Sequence, residues 1–376
     1  MNNTNYFIHF GCWNNGGCPQ DNDLTKVLQN IDSLKDKPKF LTICGDNYYP
    51  KVIKSEIEGQ IKEGKKKKED KKKYFINDDL ISGFNCLPKD VNIYMTYGNH
   101  DYETELYVSD NEKENNCMVT QNEISVTNNY PNIKLKLFQS VAFNSNTMIL
   151  FIDTTIYDDD NINEYINCYK YVDEKYTLID SVKNDQLNFI NSFVTSIKSN
   201  NNINNIIIIG HHPLAEFKIK KETMNLFTLS SELNDILYNN IYNELKLRDI
   251  NYYYLCADLH QYQSGNIIIN NDMKIKQYIV GTAGAKKDPI DQNSLFTTPQ
   301  TKENIQYFMD EDDRILNTNK NGYLKCNTDG NNLNFNFITL DNVGGKRKIK
   351  KITRKMRKIR KTRKSKRKRS KRKINY

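Results

Sequence analysis

Asp46, Asn99, His100, His211, Asp258 and His260 are the residues of this 376-residue chain whose types and placement could do chemistry together. Each follows a short apolar run. Phe40 to Cys44 leads into Gly45-Asp46, and Val91 to Tyr97 into Gly98-Asn99-His100-Asp101. Ile206 to Ile209 leads into Gly210-His211-His212-Pro213, and Tyr252 to Cys256 into Ala257-Asp258-Leu259-His260. The opening run from Tyr6 ends the same way, at Gly11-Cys12-Trp13-Asn14. Acids, amides and imidazoles at the carboxyl ends of buried strands stand where open α/β sheets bind ligands. The remaining histidine, His9, lies on an apolar run and reads as packed and hydrogen-bonded.

A pair of metal ions held about 3.5–4 Å apart needs one bridging carboxylate and several terminal oxygen and nitrogen ligands. Asp46 suits the bridge, Asn99 offers a carbonyl oxygen, and His211 and His260 offer imidazoles. Tyr49, in the same turn as Asp46, offers a phenolate. His100, beside Asn99, is placed to protonate a departing alkoxide as general acid. His212 reads as a wall of the cleft, and Asn14 as an accessory oxygen donor.

The elements that must position these groups follow from periodicity. Leu24 to Leu34, Gln186 to Ile197 and Leu229 to Leu247 have helical spacing. Thr147 to Phe151 reads as another buried strand, ending near Asp153. Late in the chain the pattern turns to hairpins, Gln263–Ile269 with Lys274–Val280 and Gly322–Cys326 with Leu333–Leu340. Residues 109–132 read as loop. Strands alternating with helices, then late hairpins, call for an α/β fold with added antiparallel strands.

Charge divides the chain. The 31 residues from Lys346 to Tyr376 hold 20 of the 55 Lys and Arg and no acid, leaving 35 against 46 Asp and Glu before them. The formal +9 therefore belongs to the tail. Expected domains are 1–343 and a disordered basic tail, 344–376, which is too poor in apolar side chains to fold alone. Lys346, Arg347, Lys348, Arg367, Lys368 and Arg369 mark the ends of a segment expected to bind nucleic acid without sequence preference. A basic insertion at about 57–74 reads either as a solvated loop or as a phosphate-attracting lip. No apolar run is long enough for a transmembrane helix. The first strand begins too early for a secretory signal peptide to precede it. With eight cysteines in no paired spacing, the expectation is reduced thiols and an intracellular protein, with nucleus, viral factory or virion compatible with the basic tail.

As an ordered set, the blocks resemble the calcineurin-like metallophosphoesterases, and among them the small, tartrate-resistant purple acid phosphatases. Gly45-Asp46-Asn47-Tyr48-Tyr49 is similar to Gly-Asp-Asn-Phe-Tyr, and Gly98-Asn99-His100-Asp101 to Gly-Asn-His-Asp. Gly210-His211-His212-Pro213 is similar to Gly-His-Tyr-Pro. The stretch Leu255 to Gln263 resembles Leu-Cys-Gly-His-Asp-His-Asn-Leu-Gln. The resemblance spans roughly residues 5–340. It implies a four-layer α/β/β/α sandwich of two mixed sheets and a dinuclear centre of divalent or mixed-valence ions (Fe, Zn or Mn). Two positions depart from the family. Cys12 replaces an aspartate and Asp258 replaces a histidine. Carried over residue by residue, Cys12, Tyr49 and His260 hold one metal, Asn99, His211 and Asp258 the other, and Asp46 bridges them.

Cys12 is either a ligand or a small buried hydrophobe, and Asp258 either a ligand or a loop cap. The implied function is hydrolysis of a phosphate ester by a metal-activated hydroxide. The alternative is a catalytically impaired protein of the same fold, acting as a binding module with a nucleic-acid-binding tail.

Overall fold

A computed structural model describes residues 5–19, 22–52, 73–104, 106–107, 117–158, 162–220, 223–288, 299–310, 320–329 and 332–340. The basic tail and all but the last two residues of the expected insertion, Lys73 and Tyr74, lie outside the described residues.

Two mixed sheets form the frame. The six-stranded sheet runs, edge to edge, through Asn332–Thr339, Gly322–Asp329, Tyr6–Phe10, Phe40–Cys44, Asn92–Thr96 and Ile133–Leu135. The eight-stranded sheet runs through Gln300–Lys302, Ile305–Met309, Tyr262–Ile269, Met273–Val280, Asn251–Cys256, Asn205–Ile209, Thr147–Phe151 and Gln139–Ala142. Central strands of both are parallel: Ile8 pairs with Leu41 and Leu41 with Ile93, while Ile207 pairs with both Ile149 and Tyr253. Both expected late hairpins form, in antiparallel register.

Alternation along one strand shows how the layers stack. Ile207 and Ile209 join a buried cluster shared with Phe7 and Ile43 of the other sheet, and Ile206 and Ile208 join a second cluster with Phe193 and Leu237. Every residue of that strand is buried, as expected when both faces of a parallel strand are covered. Phe193 lies on the outer helix Ile179–Lys198, whose apolar positions follow helical spacing. The segment expected as one long helix is Ser231–Ile236 continued by a π-helical stretch, Leu237–Tyr242, and a final turn at Asn243–Leu245. On the outer side of the six-stranded sheet, helix Asp23–Asp32 is capped by Asn22, whose side chain accepts from Thr25 N.

Two expectations are corrected. Residues 109–132 contain a helix, Met118–Thr127. Its packing side chains include the polar Thr120 and Glu123 beside Val119 and Val126, so the apolar pattern that announces a helix is diluted. The cysteines are not all thiols: Cys18–Cys86 and Cys117–Cys168 are disulfides, while Cys12, Cys44, Cys256 and Cys326 are free and buried. Partners separated by 68 and 51 residues leave no local spacing signature.

Candidate metal centre

The parallel strands of both sheets end at one edge of the sandwich, and the candidate ligands stand just past those ends. Three of them, Cys12, Asp46 and Asp258, have φ near +50°. Few non-glycine residues adopt that backbone, and such strain concentrates at functional sites. It turns the chain sharply at the strand end. Gly45 and Gly98 permit the closest approach: a Cβ on Gly98 would collide with Asp46 Oδ1 and lie 2.8 Å from His211 Cε1.

Asp46 is the hub. Its Oδ1 accepts from the His100 backbone N–H at 3.2 Å and lies 3.2 Å from His211 Nε2. Its Oδ2 accepts from the Tyr49 phenol at 2.6 Å and faces the Cys12 thiol at 3.7 Å. His211 Nε2 also lies 3.1 Å from Asn99 Oδ1 and 3.8 Å from Asp258 Oδ1. His260 Nε2 meets the Tyr49 phenol at 3.1 Å. Cys12, Tyr49, Asn99, His211, Asp258 and His260 therefore gather around Asp46, directly or through one shared neighbour.

Both expected imidazole ligands are oriented from behind. His211 donates Nδ1–H to the Cys44 carbonyl at 2.7 Å, and His260 donates Nδ1–H to the Lys286 carbonyl at 2.8 Å. Each bond sets the ring and leaves Nε2 facing the cluster, the arrangement metal-ligating histidines use. Cys12, Asp46 and His211 bring donor atoms within 4.8 Å of one another, and so do His211, His212 and Asp258. Sulfur, nitrogen and oxygen donors converging on a space that a single Cβ would fill fit divalent metal ions.

Electrostatics follow the same geometry. Burial opposes charge on Asp46, yet His211 and His100 outweigh it and hold the carboxyl well below the usual range. Burial likewise pulls His211 down, but Asp46 and Asp258 push it up to about 9. Burial and the Asp46 charge raise both the Cys12 thiol and the Tyr49 phenol, so each stays protonated until a cation arrives. Asp258 stays below the usual carboxylate range despite burial, because His212, His211 and Lys218 favour its charge.

Other expected residues divide. His100 is not bound to the hub through its ring. Its Nδ1 pairs closely with Glu103, which also receives Lys73, and its ring packs 4.8 Å from that of Tyr49. Burial lowers His100, but Asp46 and Glu103 outweigh it and hold the imidazole above its ordinary value. His212, read as a cleft wall, has a ring nitrogen within 4.8 Å of donor atoms of His211 and Asp258, and its Nδ1 lies 3.1 Å from Thr154 Oγ1. Asn14 turns away: its amide donates to the Leu80 carbonyl and its oxygen accepts from Gly17 N. Its backbone carbonyl alone serves the site, accepting from Tyr49 N at 3.2 Å.

Four supporting residues escape the sequence reading. Glu103 stands one short turn past His100, a spacing that could have revealed it. Burial raises the Tyr165 phenol, and the neighbouring Asn99 side chain partly offsets the rise. Thr154 Oγ1 accepts from both His211 N and His212 N, and Asp288 accepts from His260 N at 2.8 Å. Thr154 stands just past the strand read as ending near Asp153, so the strand end was its signal; Tyr165 and Asp288 come from distant segments and carry no local signal. Asp153, expected at a strand end, is structural, accepting from the Tyr102 and Tyr169 phenols.

The profile of the calcineurin-like phosphoesterases matches residues 6–262, which spans every strand end described above but those of the late hairpins. The chain belongs to the calcineurin-like phosphoesterase family. Members hydrolyse phosphate esters with the help of divalent metal ions, and the converging donors here are where this member would hold them. A solved structure titled "Structure of PhoD" is similar at 11% identity and TM-score 0.48, with 85% of this chain and 63% of that chain covered. This chain thus spans less than two thirds of the PhoD chain. A second solved structure is similar at 10% identity and TM-score 0.40, covering 89% of this chain and 99% of its own. No curated protein sequence matches the chain.

Proposed function

We propose that this phosphoesterase family member hydrolyses phosphate esters in the manner of an acid phosphatase. Cys12, Tyr49 and His260 would hold one ion, Asn99, His211 and Asp258 the other, and Asp46 both. One observation carries the reading: a single buried carboxylate meets Tyr49 and Cys12 through Oδ2 and His211 through Oδ1. A carboxylate divided between two donor sets is what a bridging ligand requires. Bound divalent ions supply Lewis-acid activation of water and neutralise charge at phosphorus. The protein's own part is positional and protonic. His100, held above its ordinary value, is a proton donor for the leaving oxygen, and Glu103 fixes its ring. Asn99 Oδ1 lies against His211 Nε2, and His211 is steadied by the Cys44 carbonyl.

A second reading has its own support. An ion at Cys12 must displace a proton that burial and Asp46 hold on the thiol, a cost that favours a member with one weakened site that binds without turning over. Metal analysis of the purified full chain, run beside hydrolysis of an aryl phosphate, separates the two. Two ions per chain with turnover supports the phosphatase. A folded protein with one ion or none and no turnover supports the binding module.

The basic tail completes the proposal. Twenty cations between Lys346 and Tyr376 would bind nucleic acid through phosphates, with affinity falling linearly against log salt. Truncation after Gly345 should remove salt-sensitive binding to unrelated duplexes and leave turnover intact. Unchanged duplex affinity in the truncated protein would sink the assignment.

A further inference from the structure

Immediately after His211-His212-Pro213 the chain forms a hairpin, Ala215–Lys220 with Thr223–Thr228, that belongs to neither large sheet. Two buried glutamines fasten it. Gln277 accepts from Leu214 N at 2.9 Å and donates to the Ala215 carbonyl at 2.6 Å. Gln263 accepts from Phe217 N at 3.2 Å and donates to the Phe217 carbonyl at 2.6 Å. Each amide thus imitates the edge of a neighbouring strand. Phe217 stacks on Tyr307 with ring centroids 5.0 Å apart, so its side of the hairpin faces the core.

Strand alternation then puts Glu216 and Lys218 together on the other side. Glu216 is buried, and its Oε2 has no hydrogen-bond partner among the described residues. Lys218 Nζ lies 3.8 Å from Glu216 Oε1. Burial pulls the ammonium down, but Glu216, Asp258 and Asp288 outweigh it, while burial and Asp258 push the Glu216 carboxyl up to about 8. Its side chain is 41% exposed, so it meets solvent from which an anion could arrive. Lys73, across the site, is committed to Glu103 by a close ion pair. Lys218 is held more loosely and keeps N–H donors to spare. The arm begins just past His212 and its Phe217 backbone is tied to Gln263, three residues past His260, so the neighbouring Lys218 stands beside the Asp258–His260 end of the cluster, with no part in holding a metal.

We propose that Lys218 is a substrate contact, binding a non-bridging oxygen of the phosphoryl group at the metal centre, and that Glu216 positions it. The inference rests on the phosphoesterase reading but is tested separately from it. The test is calorimetric titration of the metal-loaded full chain with inorganic phosphate, beside KM and kcat for an aryl phosphate. A charge-assisted hydrogen bond to phosphate implies that Lys218→Met weakens phosphate binding about tenfold to a hundredfold and raises KM equally, with kcat little changed. Lys218→Arg should restore most of the affinity, and Glu216→Gln should show a smaller loss than Lys218→Met. Metal content should match the unsubstituted chain in all three. Phosphate affinity within about twofold of the original in Lys218→Met, loss of metal in that variant, or no phosphate binding by the original protein would overturn the proposal. Lys218-dependent phosphate binding without any turnover would retire the hydrolase reading and leave the anion contact standing.

Discussion

His211 Nε2 lies 3.2 Å from Asp46 Oδ1, and the two side chains come from different sheets. Asp46 follows strand Phe40–Cys44 of the six-stranded sheet, and His211 follows strand Asn205–Ile209 of the eight-stranded one. Both are buried. Without metal ions, an imidazolium and a carboxylate clasp the sandwich across its seam.

This clasp sets a pH dependence for chelator-treated protein. The folded pKa of His211 is raised from 6.5 to about 9, so its contribution is complete below 6.5 and lost as pH rises through about 9. Asp46 is depressed below 3.8, so its contribution is present above that value and lost as pH falls through the folded pKa. The metal-free melting temperature should therefore be highest between these limits and decline toward alkaline pH. Scanning calorimetry of the original chain and His211→Gln checks it. An original chain whose midpoint stays level from neutral pH past 9 would contradict the clasp.

Cys12→Asp should raise metal retention without harming the fold. Cys12 sits at φ 51°, a conformation aspartate tolerates better than most residues, and its thiol already faces Asp46 at 3.7 Å. A hard carboxylate holds hard ions better than a neutral thiol. Metal content after dialysis should increase, together with aryl phosphate turnover. Lower content in a folded variant would mark the thiol as the better ligand.

Gly98→Ala should empty the centre while the sheets stay folded. The added methyl would meet Asp46 Oδ1 and the His211 ring, and neither can retreat within a closed core. Overpacking of this kind costs about 1–3 kcal/mol, too little to unfold the domain but enough to separate the ligands. The expected result is a native circular dichroism spectrum with metal content reduced at least several-fold. Full metal content would show that the cradle is not tight.

Thiol titration of unfolded, unreduced protein should find four cysteines, and eight after reduction. Closing loops of 68 and 51 residues contributes about 4 kcal/mol each by chain-entropy reckoning. Reduction should therefore lower the melting temperature markedly, and Cys168→Ser should reproduce part of that loss. Eight accessible thiols before reduction would return the chain to the all-thiol state its spacings suggest. Lasting disulfides, by contrast, belong to an oxidising setting.

What could be read from the chain and what could not divide on physical lines. Strand ends announce themselves because a buried parallel strand is a short apolar block and a polar residue follows at once; the gathering of Asp46, Asn99, His211 and Asp258 was legible for that reason. The two late hairpins were legible from alternation and turn residues. Contacts closed only by tertiary packing left no trace: Tyr165 on Asn99, Asp288 on His260, and the pairing of Cys117 with Cys168. The helix Met118–Thr127 was missed because it buries polar Thr120 and Glu123 where apolar residues are expected. The hairpin after Pro213 was missed because its anchoring lies in Gln263 and Gln277, two strands away in the chain.

The manner of that anchoring bears on how such a protein can diversify. A strand added to a sheet edge shares its register, so any insertion within it disturbs every neighbour. The arm carrying Lys218 belongs to neither large sheet and is fastened at its base by two amide side chains, at Ala215 and Phe217. Changes at Glu216 or Lys218 therefore leave the pairing of the two large sheets untouched. Selection acting on what the protein recognises thus has a place to work that is decoupled from the frame carrying the candidate ligands.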